Sequence, residues 1–494
     1  MYELALALSV VCLIGVGLYY ASSPLFSIYH PFTFYWLFHG FLFVFRPIVG
    51  WVLDFRRIYE IYQFNPSMDD RITVILASNL GFLAFAFFSL RAGNVPMAFR
   101  NVAYRAEERR QLAKVLPLVL LVCVPLGLYS LMQRLDAATV GQAVRGMRLD
   151  MATGTSVNTS AIGYLTDAQL MLASICALIA WIYRFKLPAL LPLAGFVLLR
   201  AGTGGRGPFV IALAMTGMLY LYENRLKFPA WRAVLAAAAV LALFSTVGDD
   251  RGLGIRQSLG FEQQVRETYQ ARETKFLEGM DFGNLEFFEY VVYVVPQRSG
   301  AYDYFLNNLQ LLTEPIPRVF WPEKPIGAPI KMVELFRYGF PIGMTFSLPG
   351  LGWYQFGWLG VVIWCGLWGG VLGYVYKRFA LGSQSAILVA TFTITLSILI
   401  VAYRDGSPIT FFRTFVFYIF PVILLALLQR ANAIPTAREL CERAGRKVRF
   451  GVPGQALTSS APDSAASLSG SAPVAETPRE RRRRLAGSLL AERG

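Results

Sequence analysis

Apolar residues in this chain come in long, nearly unbroken runs separated by short polar stretches, at about residues 3–20, 31–53, 72–90, 115–132, 163–183, 187–200, 207–222, 231–247, 350–375, 385–402 and 409–428. A helix needs about 20 residues to cross about 30 Å of hydrocarbon. The pattern therefore predicts an all-α polytopic membrane protein with about 11 (10–12) transmembrane helices. The 187–200 and 207–222 runs are short for a crossing and fit half-helices or tilted spans. One interval breaks the rhythm. Gly248 to Pro349 is the only long polar stretch between two runs, and it carries thirteen Asp/Glu against ten Lys/Arg. It divides the chain into an N-terminal bundle (1–247), a large loop module (248–349), C-terminal helices (350–429) and a tail (430–494).

Inside the module, Glu262 to Lys275 is polar and predicts a surface helix. Asn284 to Pro296 is rich in Phe, Tyr and Val but too short to span, so burial in the module or at the membrane interface is expected. The module should be folded, mostly helical and docked on the spans.

Charge supplies the orientation. The net charge is +15, with six Lys/Arg between Arg91 and Lys114 and twelve after Leu428. Cations beside apolar runs mark the cytoplasmic side, and they account for the charge without a nucleic-acid partner. The Arg184/Lys186, Lys227/Arg232 and Lys377/Arg378 turns fall on that same side. The 248–349 module then lies outside, with the loops at 54–71, 133–162, 201–206 and 403–408 and the N-terminus. The 91–114 segment reads either as a helix on an anionic inner leaflet or as a basic connecting loop. Composition predicts disorder from Gly451 to Glu476, followed by a cationic stretch, Arg479 to Arg484, that either touches headgroups or is simply solvated.

The residue inventory narrows the chemistry. The five cysteines lie in apolar runs or the tail, and no Cys/His cluster suggests a metal or a cofactor. His30 and His39 are the only histidines, so an external His-based triad is unavailable. HExxH, P-loop and DxD patterns are absent, and the GxGxxG letters at Gly202 to Gly207 lie between apolar runs, not after a strand. What remains are external cations. Arg200 and Arg206 flank a Gly-rich turn, where guanidinium forks and backbone N–H groups suit a diphosphate; the competing reading is an interfacial turn with snorkelling arginines. Arg318 and Lys324 sit in a frame of Pro315, Pro317, Pro322 and Pro325, either presented to a ligand or simply closing a loop that packs Phe320 and Trp321. Arg404 beside Asp405 is a further external cation or a local ion pair. Asp281, Glu286 and Glu289 border the aromatic run, where desolvation raises a carboxylate pKa toward that of a general base; otherwise they are solvated acids.

Four features together resemble bacterial oligosaccharide repeat unit polymerases, the Wzy-type O-antigen and exopolysaccharide polymerases. These are the Arg200–Gly207 turn, the large external loop, the Ile316-Pro-Arg-Val-Phe-Trp-Pro-Glu-Lys-Pro325 run, and Gly350-Leu-Gly-Trp-Tyr-Gln-Phe-Gly-Trp-Leu-Gly360. The likeness covers roughly residues 1–430. It implies a GT-C-like glycosyltransferase of the bacterial inner membrane, inverting and metal-independent, acting at the periplasmic face on undecaprenyl-diphosphate-linked glycans. Membrane lipids and a chain-length regulator protein are the implied partners. Arg200, Arg206 and Arg318 become diphosphate or glycan contacts, and Tyr302, Tyr304, Trp321 and Tyr338 suit stacking on sugar rings. Related O-antigen ligases share the layout but would carry an external His in the loop. A flippase would show internal repeats and charge deep in several spans, and a structural partner of a synthase would use arginines at the outer leaflet only to bind an anionic lipid.

Overall fold

A computed structural model of the chain describes residues 1–100, 102–139, 147–153, 156–159, 163–202, 207–231, 275, 277–279, 282–339 and 343–443. Among them, seven helices are long and apolar enough to cross a membrane: α1 (Tyr2–Ser22), α2 (Pro31–Leu53), α4 (Met68–Ala92), α5 (Val102–Thr139), α10 (Leu348–Leu381), α11 (Ala386–Asp405) and α12 (Pro408–Ala431). Three shorter apolar helices, α6 (Leu170–Ile182), α7 (Leu187–Gly202) and α8 (Gly207–Glu223), lie between them. A short helix after α2, α3 (Arg57–Tyr62), one loop helix, α9 (Asn284–Val294), and a C-terminal α13 (Ala437–Arg443) complete the set. The protein is an all-α membrane protein in this sense. The only strands among the described residues are β1 (Met147–Leu149) and β2 (Ser156–Asn158), paired antiparallel with Met147 opposite Asn158. Of the eleven expected spans, ten runs are helical, three of them short; the eleventh, 231–247, lies outside the described residues beyond Trp231.

Helix starts follow local chemistry. Ser67 and Asp70 form a reciprocal capping box at α4, with Asp70 N donating to Ser67 Oγ at 3.1 Å and Ser67 N to Asp70 Oδ2 at 2.9 Å. Proline stands in the first turn of α10 and α12, where its missing N–H is no loss. Pro117 and Pro125 within α5 and Pro421 within α12 are interior, a placement that membrane helices tolerate when neighbours satisfy the freed carbonyls.

Contacts sort the loops onto two ends of the bundle. At one end, Ile28 N bonds Lys227 O, Arg100 N bonds Gln384 Oε1, and Glu108 accepts from the backbone N–H of Ala386 and Ala437. This is the basic end. At the other, Arg56 and Arg57 N–H groups cap Glu278, Gln297 bonds Asp70, and Ser347 N bonds Arg404 O. Tyr2 packs on Trp51 at this loop end, so the N-terminus shares it. The grouping is the one that alternating spans require.

The basic segment differs from both expectations. It is neither a leaflet-surface helix nor a simple connecting loop, because α5 begins at Val102 and runs on through the apolar region. Arg105 and Arg109 are buried and both pair with Glu223 at 3.2 Å, which also accepts from Trp181 Nε1 at 3.0 Å. A charge cannot be left unpaired in such a place, so these residues fasten α5, α6 and α8 together.

The expectation of a mostly helical module can be compared only over part of its length, because residues 248–274 lie outside the described residues. Among the described residues from 282 to 347, α9 is its one helix longer than a single turn; the rest is turns and short 3₁₀ segments. The proposed surface helix at 262–275 lies outside the described residues except Lys275. In α9 every residue but Tyr293 is buried, against α4 and α10. It is docked on the spans, as its apolar composition demands.

The closest helix seam is α4 on α10. A Cβ added at Gly369 would stand 2.6 Å from Phe85 O, and one at Gly373 2.5 Å from Ser89 O. Small residues let membrane helices approach closely where hydrophobic driving force is absent. Farther along, α10 kinks at Phe356 and Gly357, the latter at φ +58°, a region open to glycine. Gly373→Val should overpack this seam and lower thermal stability in detergent by about 1–3 kcal/mol. Gly370→Ala, whose new Cβ meets only Phe88 Cβ at 4.0 Å, should leave the unfolding midpoint unchanged.

Candidate functional site

At the loop end a cavity of about 330 Å³ opens between α5, α12, the 3₁₀ turn Gly163–Asp167 and the loop residues around Asn307–Glu314 and Met344–Phe346. Its floor is a two-arginine fork on one carboxylate. Arg134 Nη2 donates to Asp167 Oδ1 at 2.6 Å, and Arg413 donates to Asp167 Oδ2 from Nη2 at 2.7 Å and Nε at 2.8 Å. Arg134 Nε also bonds Thr166 O at 3.0 Å. Each element contributes for a local reason: Arg134 comes from the last turns of α5, Arg413 stands one turn into α12, and Asp167 ends a turn closed by Thr166 Oγ1 on Gly163 O. Both arginines remain part-exposed toward the cavity.

Other cations gather around this floor. Arg200, in the last turn of α7, is buried, with Nη1 on Gln169 Oε1 at 2.6 Å and within electrostatic reach of Arg134 and Asp167. Lys324 Nζ bonds the carbonyls of Glu314 at 3.0 Å and Ile316 at 3.2 Å and stands 3.8 Å from Glu314 Oε2. Burial lowers the Lys324 pKa; Glu314 opposes this, and the nearby Arg318 and Arg413 add to it. Arg318 donates to the Lys324 carbonyl and, at 3.0 Å, to Pro325 O. The Pro-framed loop is thus closed on itself by its own cations, with Tyr164 OH donating to Glu314 O at its base. Arg404 is the penultimate residue of α11, and its carbonyl accepts from Ser347 N and from Asn284 Nδ2 at 2.9 Å. Six cations (Arg134, Arg200, Arg318, Lys324, Arg404 and Arg413) meet three carboxylates, Asp167, Glu314 and Asp405. Among these described residues, cations outnumber carboxylates.

Asp405 lines the cavity, and among the described residues its carboxylate accepts no hydrogen bond. It also sits at the C-terminus of α11, the end where the helix dipole disfavours an anion. Such a placement is unfavourable for stability alone. Glu314 is more committed, accepting from Gln310 at 3.2 Å as well as facing Lys324.

Two of the three carboxylates expected as proton acceptors lie elsewhere, and neither is a solvated acid. Glu286 is buried and takes both oxygens to Arg46 Nη1, at 2.8 and 2.6 Å. Glu289 is buried and accepts from Tyr59 OH at 2.6 Å. Burial, reinforced by the Glu286 charge and only partly opposed by Arg71, Tyr59 and Arg46, raises Glu289 to about 8. No residue of α9 lines the arginine cavity; Glu286 lines a separate one. Arg206 and Asp281 lie outside the described residues. Of the expected aromatic stack, Tyr302 and Tyr304 pack around Phe356 at the α10 kink, at 6.0 and 5.8 Å.

Arg134, Asp167 and Arg413 were missed by inspection of motifs, although the signal existed. Arg413 and Asp167 are charges inside runs read as spans, where ionisable residues are rare and usually functional. No family model, curated protein or solved structure matches the chain.

The Glu289 shift has a pH signature. Its folded pKa lies above the ordinary carboxylate value of about 4.3, so from about pH 4.3 to pH 8 the unfolded chain holds fewer protons and stability falls as pH rises. Glu289→Gln, a neutral isostere, should remove that loss: its unfolding midpoint relative to wild type should be higher at pH 8 than at pH 5. Equal differences at the two pH values would contradict a neutral Glu289.

Proposed function

We propose that this protein is an inverting, metal-independent glycosyltransferase that polymerises undecaprenyl-diphosphate-linked oligosaccharide repeat units, with the arginine cavity facing the periplasm from the bacterial inner membrane. The observation that carries the reading is the Arg134–Asp167–Arg413 fork opening into a 330 Å³ cavity amid an excess of cations. Transfer of a lipid-linked glycan breaks the bond between its anomeric carbon and the diphosphate. The leaving group carries away the electron pair and needs charge stabilisation, which guanidinium forks supply without a metal. Arg134 and Arg413 are the diphosphate contacts in this scheme, with Arg200 and Lys324 adding positive potential from behind. Asp167 is a positioning residue that holds both forks toward the cavity. The acceptor sugar hydroxyl attacks the opposite face of the anomeric carbon, and its proton passes to Asp405, the cavity-facing carboxylate that accepts no hydrogen bond among the described residues. Glu286 and Glu289 have no part in the chemistry, since one is held by Arg46 and both lie away from this cavity.

The cationic tail and turns favour the basic end as cytoplasmic, which places the cavity outside. Two lipid-linked substrates also need lateral access between spans, consistent with a cavity bounded by helices and loops rather than by a closed domain.

The test is complementation of a polymerase-null host, with surface or lipid-linked glycan resolved by length. Losing one preorganised donor typically lowers turnover by about 10²–10³-fold, so Arg134→Gln and Arg413→Gln should each collapse long chains to single repeat units while membrane levels stay normal. Arg413→Lys should fall short of wild type, because lysine offers a point charge in place of a fork. Asp405→Asn should abolish elongation without releasing the protein from the membrane. Wild-type chain lengths in all these variants would sink the reading. Normal long chains that fail only to reach a final acceptor would point instead to ligation.

A further inference from the structure

A second cavity, of about 260 Å³, lies at the loop end beside α1 and α2, lined by Tyr2, Trp51, Phe55, Tyr59, Arg46 and Arg71 among others. Arg46 is delivered here by a six-residue π-helical segment, Gly40–Phe45, that re-phases α2 just before it. Its guanidinium is almost entirely buried: Nε bonds Leu277 O at 3.0 Å and Nη1 bonds Glu286, while Nη2 has no acceptor among the described residues. A buried charged donor left open in this way is costly unless something fills it. Arg71 lines the same cavity and lies 4.9 Å over the Tyr59 ring, making no ion pair among the described residues. Of the nearby acids, Asp54 is occupied by Arg56 at 2.7 Å, Glu286 by Arg46, and Glu289 is held neutral by burial. The lining holds two cations and two carboxylates, Asp54 and Glu286, and with both carboxylates engaged Arg71 is the lining cation that makes no ion pair among the described residues. The helices that carry Tyr2 and Trp51 into the cavity lining also expose apolar side chains, Leu4 and Leu8 on α1 and Val52 on α2.

An occupant that satisfies both features is amphipathic, with an anionic head and a hydrocarbon chain. We propose that this cavity is a seat for the phosphate of an anionic lipid headgroup, held between Arg46 Nη2 and Arg71, with its acyl or prenyl chain lying along α1 and α2. The site is distinct from the arginine cavity and does not depend on the transferase reading.

The full chain in detergent, examined by native mass spectrometry, tests this with three probes: dioleoylphosphatidic acid, dioleoylphosphatidylcholine and inorganic pyrophosphate. Wild type should retain one phosphatidic acid adduct about 10-fold more tightly than phosphatidylcholine, the order expected for a charge-assisted hydrogen-bond pair. Arg71→Gln should lose that adduct and keep the wild-type unfolding midpoint, since Arg71 holds no ion pair; Arg71→Lys should recover part of it. The double variant Arg46→Gln/Glu286→Gln removes the second donor without stranding a buried charge, and it should lose the adduct too. The proposal fails if Arg71→Gln and the double variant bind like wild type, or if phosphatidylcholine binds equally well. Displacement of phosphatidic acid by pyrophosphate at equal concentration would overturn the lipid assignment and identify a free diphosphate as the ligand. Glycan length plays no part in these readouts, so their outcome stands apart from the polymerase test.

Discussion

Charge buried in an apolar body must be matched, and that requirement organises this protein at three places. At the basic end Glu223 neutralises Arg105 and Arg109 and ties α5 to α6 and α8. Beside α2, Glu286 neutralises Arg46 and ties α9 to the bundle. At the loop end Asp167 answers Arg134 and Arg413 together. Breaking a buried pair costs about 3–5 kcal/mol because it strands the remaining charge, so the first two clusters are fasteners and constrain what can be mutated, whereas the part-exposed arginines of the third are less constrained. Arg105 Nη2 in the first and Arg46 Nη2 in the second both lack an acceptor among the described residues, so an open guanidinium nitrogen does not by itself mark a ligand site. Access to a cavity is what marks the second and third as candidate ligand sites.

Packing of the apolar parts supplies the frame for these clusters. The glycine seam brings α4 and α10 into near contact, and α9 lies buried across their loop-end halves. Asn284 at the start of α9 bonds the Arg404 carbonyl, and Ser347 N bonds the same oxygen. The loop module is thus anchored to the end of α11, one residue from Asp405. The loop helix, the kinked α10 and the site carboxylate are positioned by one set of backbone contacts.

Legibility in the sequence differed by scale. Helical runs, their shared ends and the docking of Asn284–Val294 followed from hydrophobic pattern and length, since these are local consequences of burying apolar surface and satisfying backbone groups in lipid. Arg318 and Lys324 were visible as Pro-framed cations, but their use in closing their own loop was not, because the carbonyls they bond belong to chain geometry rather than residue type. The basic segment was misread for a related reason: its cations suited a surface, and only the buried Glu223 on α8, more than a hundred residues later, makes burial affordable.

The amino-acid sequence by itself determined that this is a polytopic α-helical membrane protein with one long polar module, and it singled out carboxylates and cations as the candidate site residues, because hydropathy and residue inventory are properties of each position alone. Only the tertiary structure decided which carboxylate meets which cation. Arg134 and Arg413, 279 positions apart, each hold Asp167 within 2.8 Å, whereas Glu286 and Glu289, equally promising by composition, are spent elsewhere, Glu286 on Arg46 beside a different cavity and Glu289 buried on Tyr59. Coulomb interaction and hydrogen bonding act over a few ångströms, and nothing short of the packed helices fixes distances on that scale.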